Sequence, residues 1–345
     1  MAKLSILLCI VYSVSSFALC VHEKTLKGFE LLDLQKTQQV FVETKGAIFL
    51  DANKIKVNPA QTYKVHLSHK KSHTKSTSFS TDPHEVYNQK YIEYYTYARM
   101  QKYINDNRAK IIAAGFEIRI IGKSIEGRDL YAITPKKLLK KKTILMFGRH
   151  HGDEGTANWI IEGFFNEYLT NKKFSDEYQL VLYPMINPDG AEAHIRYNAN
   201  GRDLNRSWHK DLSESFDEVN IIHTDLKKIM TVIKKDIFIA LDMHGSFRED
   251  FIYRVKKKYV NRSFYNLQQN FIDELGAFDL WQKGNFKLSN GDSRMARLVL
   301  IDHYKKNAMT HESIRNIDKY NSEGRSVDTL KDQGLALIKS ISNLY

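Results

Sequence analysis

The sequence predicts an α/β protein: three layers, α/β/α, around a mixed, largely parallel twisted sheet, preceded by a small β module. Three observations predict it. The runs Ile144-Leu145-Met146-Phe147 and Ile237-Phe238-Ile239-Ala240-Leu241 are apolar throughout rather than alternating, so both faces of those strands must be covered. Stripes at helical spacing accompany them, Val219, Ile222, Leu226, Ile229 and Ile233 in one and Leu330, Gly334, Leu337, Ile341 and Leu344 in another. A chain of 345 residues, 42% of them hydrophobic, can build one large core.

Taken in order, residues 1–20 have a short basic start, an apolar run from Leu4 to Val14 and a small-residue exit, the build of a secretory signal peptide. The protein is therefore expected to be exported, periplasmic or secreted. Both cysteines, Cys9 and Cys20, fall in or at the edge of this segment, which leaves no internal disulfide and no thiolate ligand in the body. Residues 21–67 alternate β-type runs (Gln39–Val42, Ala47–Leu50, Tyr63–Leu67) with turn residues and read as the β module. Residues 68–85 are polar and aperiodic, a linker. From residue 86 to 345 helices and strands alternate. Tyr94, Tyr97, Met100 and Ile104 share a helical face, and strands are expected at Glu117–Ile121, Asp129–Ile133, Thr143–Phe147, Gln179–Met185 and Ile237–Met243. No other stretch approaches the length of a membrane span. The formal net charge of +12 includes a local cluster at Lys136, Lys137, Lys140, Lys141 and Lys142, read as attraction to anionic surfaces; no base-stacking motif suggests nucleic acid.

In covered α/β sheets ligands sit beyond the carboxyl ends of strands, so the polar motifs at those ends carry the chemistry. The strand ending at Phe147 runs into Gly148-Arg149-His150-His151-Gly152-Asp153-Glu154, and the strand ending at Met243 runs into His244. Two imidazoles and a carboxylate leave an open position on zinc, as catalytic sites require. His150 competes locally with His151 for that role. Asn187-Pro188-Asp189-Gly190 forms a turn after another strand, and Arg196 is followed closely by Asp203-Leu204-Asn205-Arg206. Arginine's planar fork matches a carboxylate, so Asn205 and Arg206 suit the grip on a substrate's terminal carboxylate.

Together, Ile121–Arg128 (IGKSIEGR), HGDE at 151–154, NPDG at 187–190, DLNR at 203–206, His244 and Thr310-His311-Glu312 resemble, in that order, the zinc carboxypeptidases of the carboxypeptidase A type over about residues 86–345. The resemblance implies His151, Glu154 and His244 as zinc ligands and Glu312 as the carboxylate that activates water. It also implies Arg196 as the group that polarises the scissile carbonyl, Asn205 and Arg206 as the carboxylate clamp, and Asp203 as the acid behind the first histidine. One departure stands out: the family's mobile tyrosine has no counterpart, because Asn290–His311 holds only Tyr304, too near Glu312. The specificity wall is sought in Ser289–Arg297, where Asp292, Arg294 and Arg297 can read charge; Arg294 is the expected substrate contact.

The expected activity is hydrolysis of a C-terminal peptide bond by a monomer, with peptidoglycan stem peptides as substrate because an exported, disulfide-free member resembles bacterial wall-trimming relatives. Two competing readings are a deacylase of N-acyl amino acids, which shares His-x-x-Glu and DLNR, and an inactive wall-binding protein.

Overall fold

The structure, a computed structural model, describes residues 94–316, 320 and 322–344, and before them only the backbone of six strands between residues 21 and 68. The proposed leader at 1–20 and most of the linker lie outside the described residues. The six strands are β1 (Val21–Lys27), β2 (Leu31–Asp33), β3 (Gln39–Val42), β4 (Ala47–Asp51), β5 (Lys54–Val57) and β6 (Thr62–Ser68). They pair antiparallel in two three-stranded sheets, β1-β6-β3 and β2-β5-β4.

The larger part begins with α1 (Tyr97–Ala113), whose Thr96 side chain caps the helix by accepting from Arg99 N. It buries Tyr97, Met100, Tyr103, Ile104 and Ile111 on one face; Tyr94, placed on the same stripe by spacing, precedes the helix. An antiparallel pair follows, β7 (Phe116–Lys123) and β8 (Asp129–Pro135). Then come the covered strands with their helices: β9 (Lys142–Gly148), α2 (Thr156–Thr170), α3 (Lys172–Glu177), β10 (Tyr178–Tyr183), α4 (Pro188–Ala193), α5 (Asp217–Ile233) and β11 (Ile237–Ser246). The chain closes with β12 (Phe251–Arg254), α6 (Arg262–Phe278), β13 (Phe286–Leu288), α7 (Ala296–Asp302), β14 (Ala308–Ile314) and α8 (Val327–Ser342).

One eight-stranded sheet results, in the order β13-β12-β14-β11-β9-β10-β8-β7. Its centre, β14-β11-β9-β10, is parallel; β8, β12 and β13 run against it, and β7, antiparallel to β8, runs with it. Every residue of β10 is buried, as are Thr143–Gly148 of β9, which explains why those segments lack polar alternation. One apolar layer joins the sheet to α1, α2, α6 and α8; the other joins it to α5 and α7. Each wholly buried Leu, Ile or Phe in these layers contributes about 1.5–3 kcal/mol. Helices α2 and α8 cross at glycines: a Cβ on Gly163 would lie 2.2 Å from Lys331 O and one on Gly334 2.3 Å from Ile160 O. That close approach is why Gly334 sits in an otherwise apolar stripe.

The short strands β12 and β13 were not expected from the sequence. They extend the sheet beyond β14, and β12 contributes Phe251 and Tyr253 to one wall of the cleft described next.

Candidate metal centre and substrate cleft

The carboxyl ends of the parallel strands gather the polar motifs. After β9 the chain turns sharply at Arg149, which has φ 63° and a wholly buried side chain. Its guanidinium donates twice to Gly152 O, at 3.0 and 2.7 Å, and once to Asn158 Oδ1 at 3.0 Å. A non-glycine residue held in the left-handed region persists only where its surroundings determine it. Here the outcome is that His151 and Glu154 face the same point. Gly152 is required for a separate reason: a Cβ there would fall 2.1 Å from the Gly190 carbonyl carbon, so HGDE and NPDG touch backbone to backbone.

His151 Nδ1 lies 2.8 Å from Glu154 Oε1 and 3.1 Å from His244 Nδ1, and His244 Nδ1 lies 2.8 Å from Glu154 Oε2. The opposite ring nitrogens face carboxylates, His151 Nε2 toward Asp203 Oδ1 at 3.0 Å and His244 Nε2 toward Asp242 Oδ2 at 3.0 Å. An N–H toward each carboxylate leaves both Nδ1 lone pairs, together with the Glu154 oxygens, aimed at one another. Such a donor set repels itself unless a cation sits at its focus. Zinc bonds of about 2.0–2.1 Å in a tetrahedral shell hold ligand atoms about 3.3 Å apart, close to the observed spacing. Two imidazoles and one carboxylate are also the ligand types a catalytic zinc takes.

The electrostatics agree. Burial works against charge on His244, yet the carboxylates of Asp242 and Glu154 hold its pKa well above the ordinary imidazole range. Burial likewise opposes ionisation of Glu154, and the His151 and His244 rings overcome it, so that carboxyl lies well below its usual range. Asp203 is held low by His151, Arg196 and Arg206 against the pull of burial. The cluster demands positive charge.

His150 is not part of the donor set. It is wholly buried, its Nδ1 is 2.7 Å from Asp242 Oδ1 and its Nε2 accepts from Trp208 Nε1 at 2.9 Å. Both ring nitrogens are therefore committed, and His150 is packed beneath the site rather than on its rim.

Glu312 stands beside His244 in the β11–β14 register and lines the cleft. Burial, reinforced by the neighbouring Glu154 charge and opposed by His244 and His151, pushes its carboxyl up to about 7. A dication nearby would favour the ionised form. Arg196 reaches the same place: Nη2 pairs with Asp203 Oδ2 at 2.8 Å, and Nη1 is 3.0 Å from His151 Nδ1 and 3.6 Å from Glu154 Oε1. NPDG and IGKSIEGR hold this arginine's backbone in place. Arg196 O accepts from Gly152 N and Asn187 Nδ2, while Asp189 accepts from Ser124 Oγ, Glu126 N and Arg128 Nη1.

The cleft encloses about 840 Å³ and is lined by His151, Glu154, Arg196, Asn205, Arg206, His244 and Glu312, among others. Asn205 is buried; its Oδ1 accepts from Ala296 N at 3.0 Å and its Nδ2 lies 3.1 Å from His244 Nε2, tying the DLNR turn to α7. Arg206 is a third exposed, with Nη1 donating to Asn205 O and Nε 4.0 Å from Asp292.

Arg294, expected to meet substrate, does not line the cleft. It is half exposed and grips Asp292 with two hydrogen bonds of 3.0 and 2.8 Å, because both lie in the turn before α7. Arg297, inside α7, is the arginine that lines the wall. It is buried, donates from Nη1 to Ser289 O at 3.0 Å, and its Nε has no partner among the described residues. Burial depresses its pKa to about 10, since no carboxylate lies close enough to compensate fully. Tyr304 is buried with its hydroxyl 2.7 Å from His223 Nε2, so it takes no part in the site; the cleft tyrosines are Tyr197 and Tyr253. Sequence reasoning missed Asp242, although an aspartate two residues before His244 in a covered strand shares that histidine's face.

Comparison with known proteins adds the family. Residues 100–228 match the zinc carboxypeptidase family, a span that includes His151, Glu154, Arg196 and the DLNR turn. Cytosolic carboxypeptidase 3 from Bos taurus is 25% identical over 241 residues, covering 64% of this chain and 23% of that protein, so the chain spans about a quarter of the relative's length. Carboxypeptidase SOL1 from Arabidopsis thaliana is 30% identical over 138 residues, 36% of this chain and 28% of that one. The crystal structure of a metallo-carboxypeptidase from Burkholderia cenocepacia superposes with a TM-score of 0.62 at 16% identity, covering 94% of this chain and 88% of that one, a likeness of fold. The donor set, the strand that carries each donor and the matched span agree: residues 100–228 are similar to the zinc carboxypeptidase family and hold two of the three candidate zinc donors.

Proposed function

We propose that the protein is an exported zinc-dependent carboxypeptidase that releases a C-terminal residue bearing an anionic side chain. The observation that carries this reading is the convergence of His151, Glu154 and His244 beside Glu312, in a cleft whose far wall holds the buried, incompletely paired Arg297. When bound by His151, Glu154 and His244, zinc supplies Lewis acidity and lowers the pKa of water there. Glu312 takes the proton from the attacking water and returns it to the leaving amine, the exchange a positioned carboxylate performs. Arg196 steadies the negative charge that develops on the scissile carbonyl oxygen. Asp203 and Asp242 fix the tautomers of the two ligand histidines. Arg206, with Asn205, receives the terminal carboxylate; Arg206 is a third exposed and has no bidentate acid partner among the described residues.

Arg297 supports the choice of side chain. A buried guanidinium with a spare donor costs several kcal/mol of desolvation unless an anion completes it, and a substrate carboxylate would do so. In the cell envelope, peptidoglycan stem peptides containing diaminopimelate offer such a carboxylate, and the leader-like composition of residues 1–20 supports that location.

The test is release of amino acids, followed by mass spectrometry, from tripeptides ending in Glu, Asp, Ala, Leu or Lys, from muropeptides and from N-acyl amino acids. Acidic termini are expected to be removed about a hundredfold faster than neutral ones. Preference for Lys or Leu would sink the side-chain assignment, intact muropeptides the wall assignment, and release of an acyl group in place of an amino acid the peptidase reading.

A further inference from the structure

The edge of the sheet opposite the cleft has a character of its own. Strands β9, β10, β11 and β14 are parallel, so their amino ends lie together, and β8 and β12, which run against them, finish at that same edge. Lysines crowd five of the segments there. The loop from β8 into β9 reads KKLLKKK (136–142), α3 opens with Lys172-Lys173, Lys234-Lys235 leads into β11, Lys256–Lys258 follows β12, and Lys305-Lys306 leads into β14. Across segments 136–142, 172–177, 234–236, 256–258 and 302–306 there are fourteen lysines against four acids, which accounts for much of the chain's +12.

Four of these segments are joined by contacts, and Lys256–Lys258 follows β12, the neighbour of β14 in the sheet. Lys141 Nζ donates to Ser175 O, Lys142 pairs with Glu177 at 2.7 Å, Thr143 N donates to Asp236 O, and the Lys234 and Asp236 charges act on Lys306. Most of the lysines remain exposed. Exposed aliphatic residues are interspersed, with Ile112 at 41%, Leu139 at 45% and Val232 at 51%. Beside Leu139 a depression of about 650 Å³ opens between the end of α1 and the KKLLKKK loop.

We propose that this edge docks on an anionic phospholipid bilayer and holds the cleft facing away from the lipid. Three features favour a bilayer over other polyanions. The charges are all lysine, point charges that sense a diffuse negative surface, whereas arginine forks clamp individual phosphates. Aliphatic side chains at the same level suit the interface between headgroups and acyl chains. Binding of single-stranded nucleic acid relies on aromatic platforms interleaved with the charge, and Tyr259, at the end of the 256–258 run, is the one exposed aromatic of these segments. The strands are six to ten residues long at the sheet's centre, so docking there keeps the cleft roughly 20 Å from the surface, open to peptides in the surrounding space. This inference is independent of the activity proposed above.

The experiment is co-sedimentation of the full chain with vesicles of phosphatidylcholine alone or containing phosphatidylglycerol, at low and high salt. The wild type is expected to bind the anionic vesicles selectively, with binding falling steeply as salt rises. The variant Lys136→Glu/Lys137→Glu/Lys140→Glu should bind them at least about tenfold more weakly at unchanged Tm, and Lys256→Glu/Lys257→Glu/Lys258→Glu should also lose binding. Any contribution from apolar residues 1–20 is common to all forms and shows on the neutral vesicles. Equal sedimentation with neutral and anionic vesicles, wild-type binding by both folded variants, or tighter binding to duplex DNA than to the vesicles would overturn the proposal.

Discussion

Two buried polar clusters flank β14, one on each face, and they are built on opposite principles. On the face of His311, Asp250 accepts two hydrogen bonds of 2.8 Å from Arg325, one from Gln333 Nε2 and one from Ile314 N. Gln333 also joins Asp279, and the Arg325 guanidinium packs 4.4 Å from the Trp281 ring. Here acid meets base within the chain; Arg325 Nε and both His311 ring nitrogens have no hydrogen-bond partner among the described residues, and burial holds the His311 pKa down. On the face of Glu312 the acceptors confront one another, and the chain supplies too little positive charge to satisfy them. A closed cluster fixes a strand; an open one binds something. Both act on the same strand, since Asp250 holds Ile314 two residues beyond Glu312.

The sharpest way to break the contrast is at the open cluster. His151→Ala should lose stoichiometric zinc by elemental analysis and with it all measurable turnover; retention of one zinc per chain would show that the ligand set is misassigned. Glu312→Gln should keep zinc and lower kcat by about 10²–10⁴ with little change in KM, since it removes a proton carrier and not a binding group. At the closed cluster the readout reverses. Asp250→Ala strands the Arg325 charge in the core and should cost about 3–5 kcal/mol, seen as a fall in Tm of about 10 °C, with zinc content unchanged. Loss of zinc at unaltered Tm would contradict the division of labour.

Smaller effects sharpen the picture. Arg297→Gln should lower the ratio of kcat/KM for acidic over neutral C-terminal residues about a hundredfold, leaving zinc in place. Burial, with the nearby His303 and Lys227 charges, pushes His223 down to about 4, against about 6.5 in the unfolded chain. Folded His223 refuses a proton that the unfolded chain accepts, so stability is undiminished above about 6.5 and declines as pH falls from there toward about 4. The total is about 3 kcal/mol. Urea midpoints of the wild type and His223→Gln at pH 7.5 and 4.5 should differ in that sense; parallel losses in the two proteins would rule the histidine out.

The fold and the metal donors were legible because each left a local trace. Apolar runs announced the covered strands; HGDE and DLNR follow a strand or turn that spacing could locate, and His244 sits among the last residues of β11, just beyond its apolar run. What was hidden depended on register and helix phase. Within Ser289–Arg297 three charges were available, but only the start of α7 at Ala296 decides that Arg297 turns into the cleft while Arg294 curls back on Asp292. Strands of three and four residues such as β13 and β12 carry no period to detect. His150 and His151 could be told apart only by what stands behind them, Trp208 and Asp242 in one case and Asp203 in the other.

That last distinction sets the stoichiometry of the centre. The His150 ring lies parallel to that of His244 at 5.5 Å, near enough in principle to open a second coordination position with Asp242. An indole proton covers one of its nitrogens and a carboxylate takes the other. His150 is therefore not free to complete a second site, and a chelator should withdraw metal in a single step, one equivalent per chain.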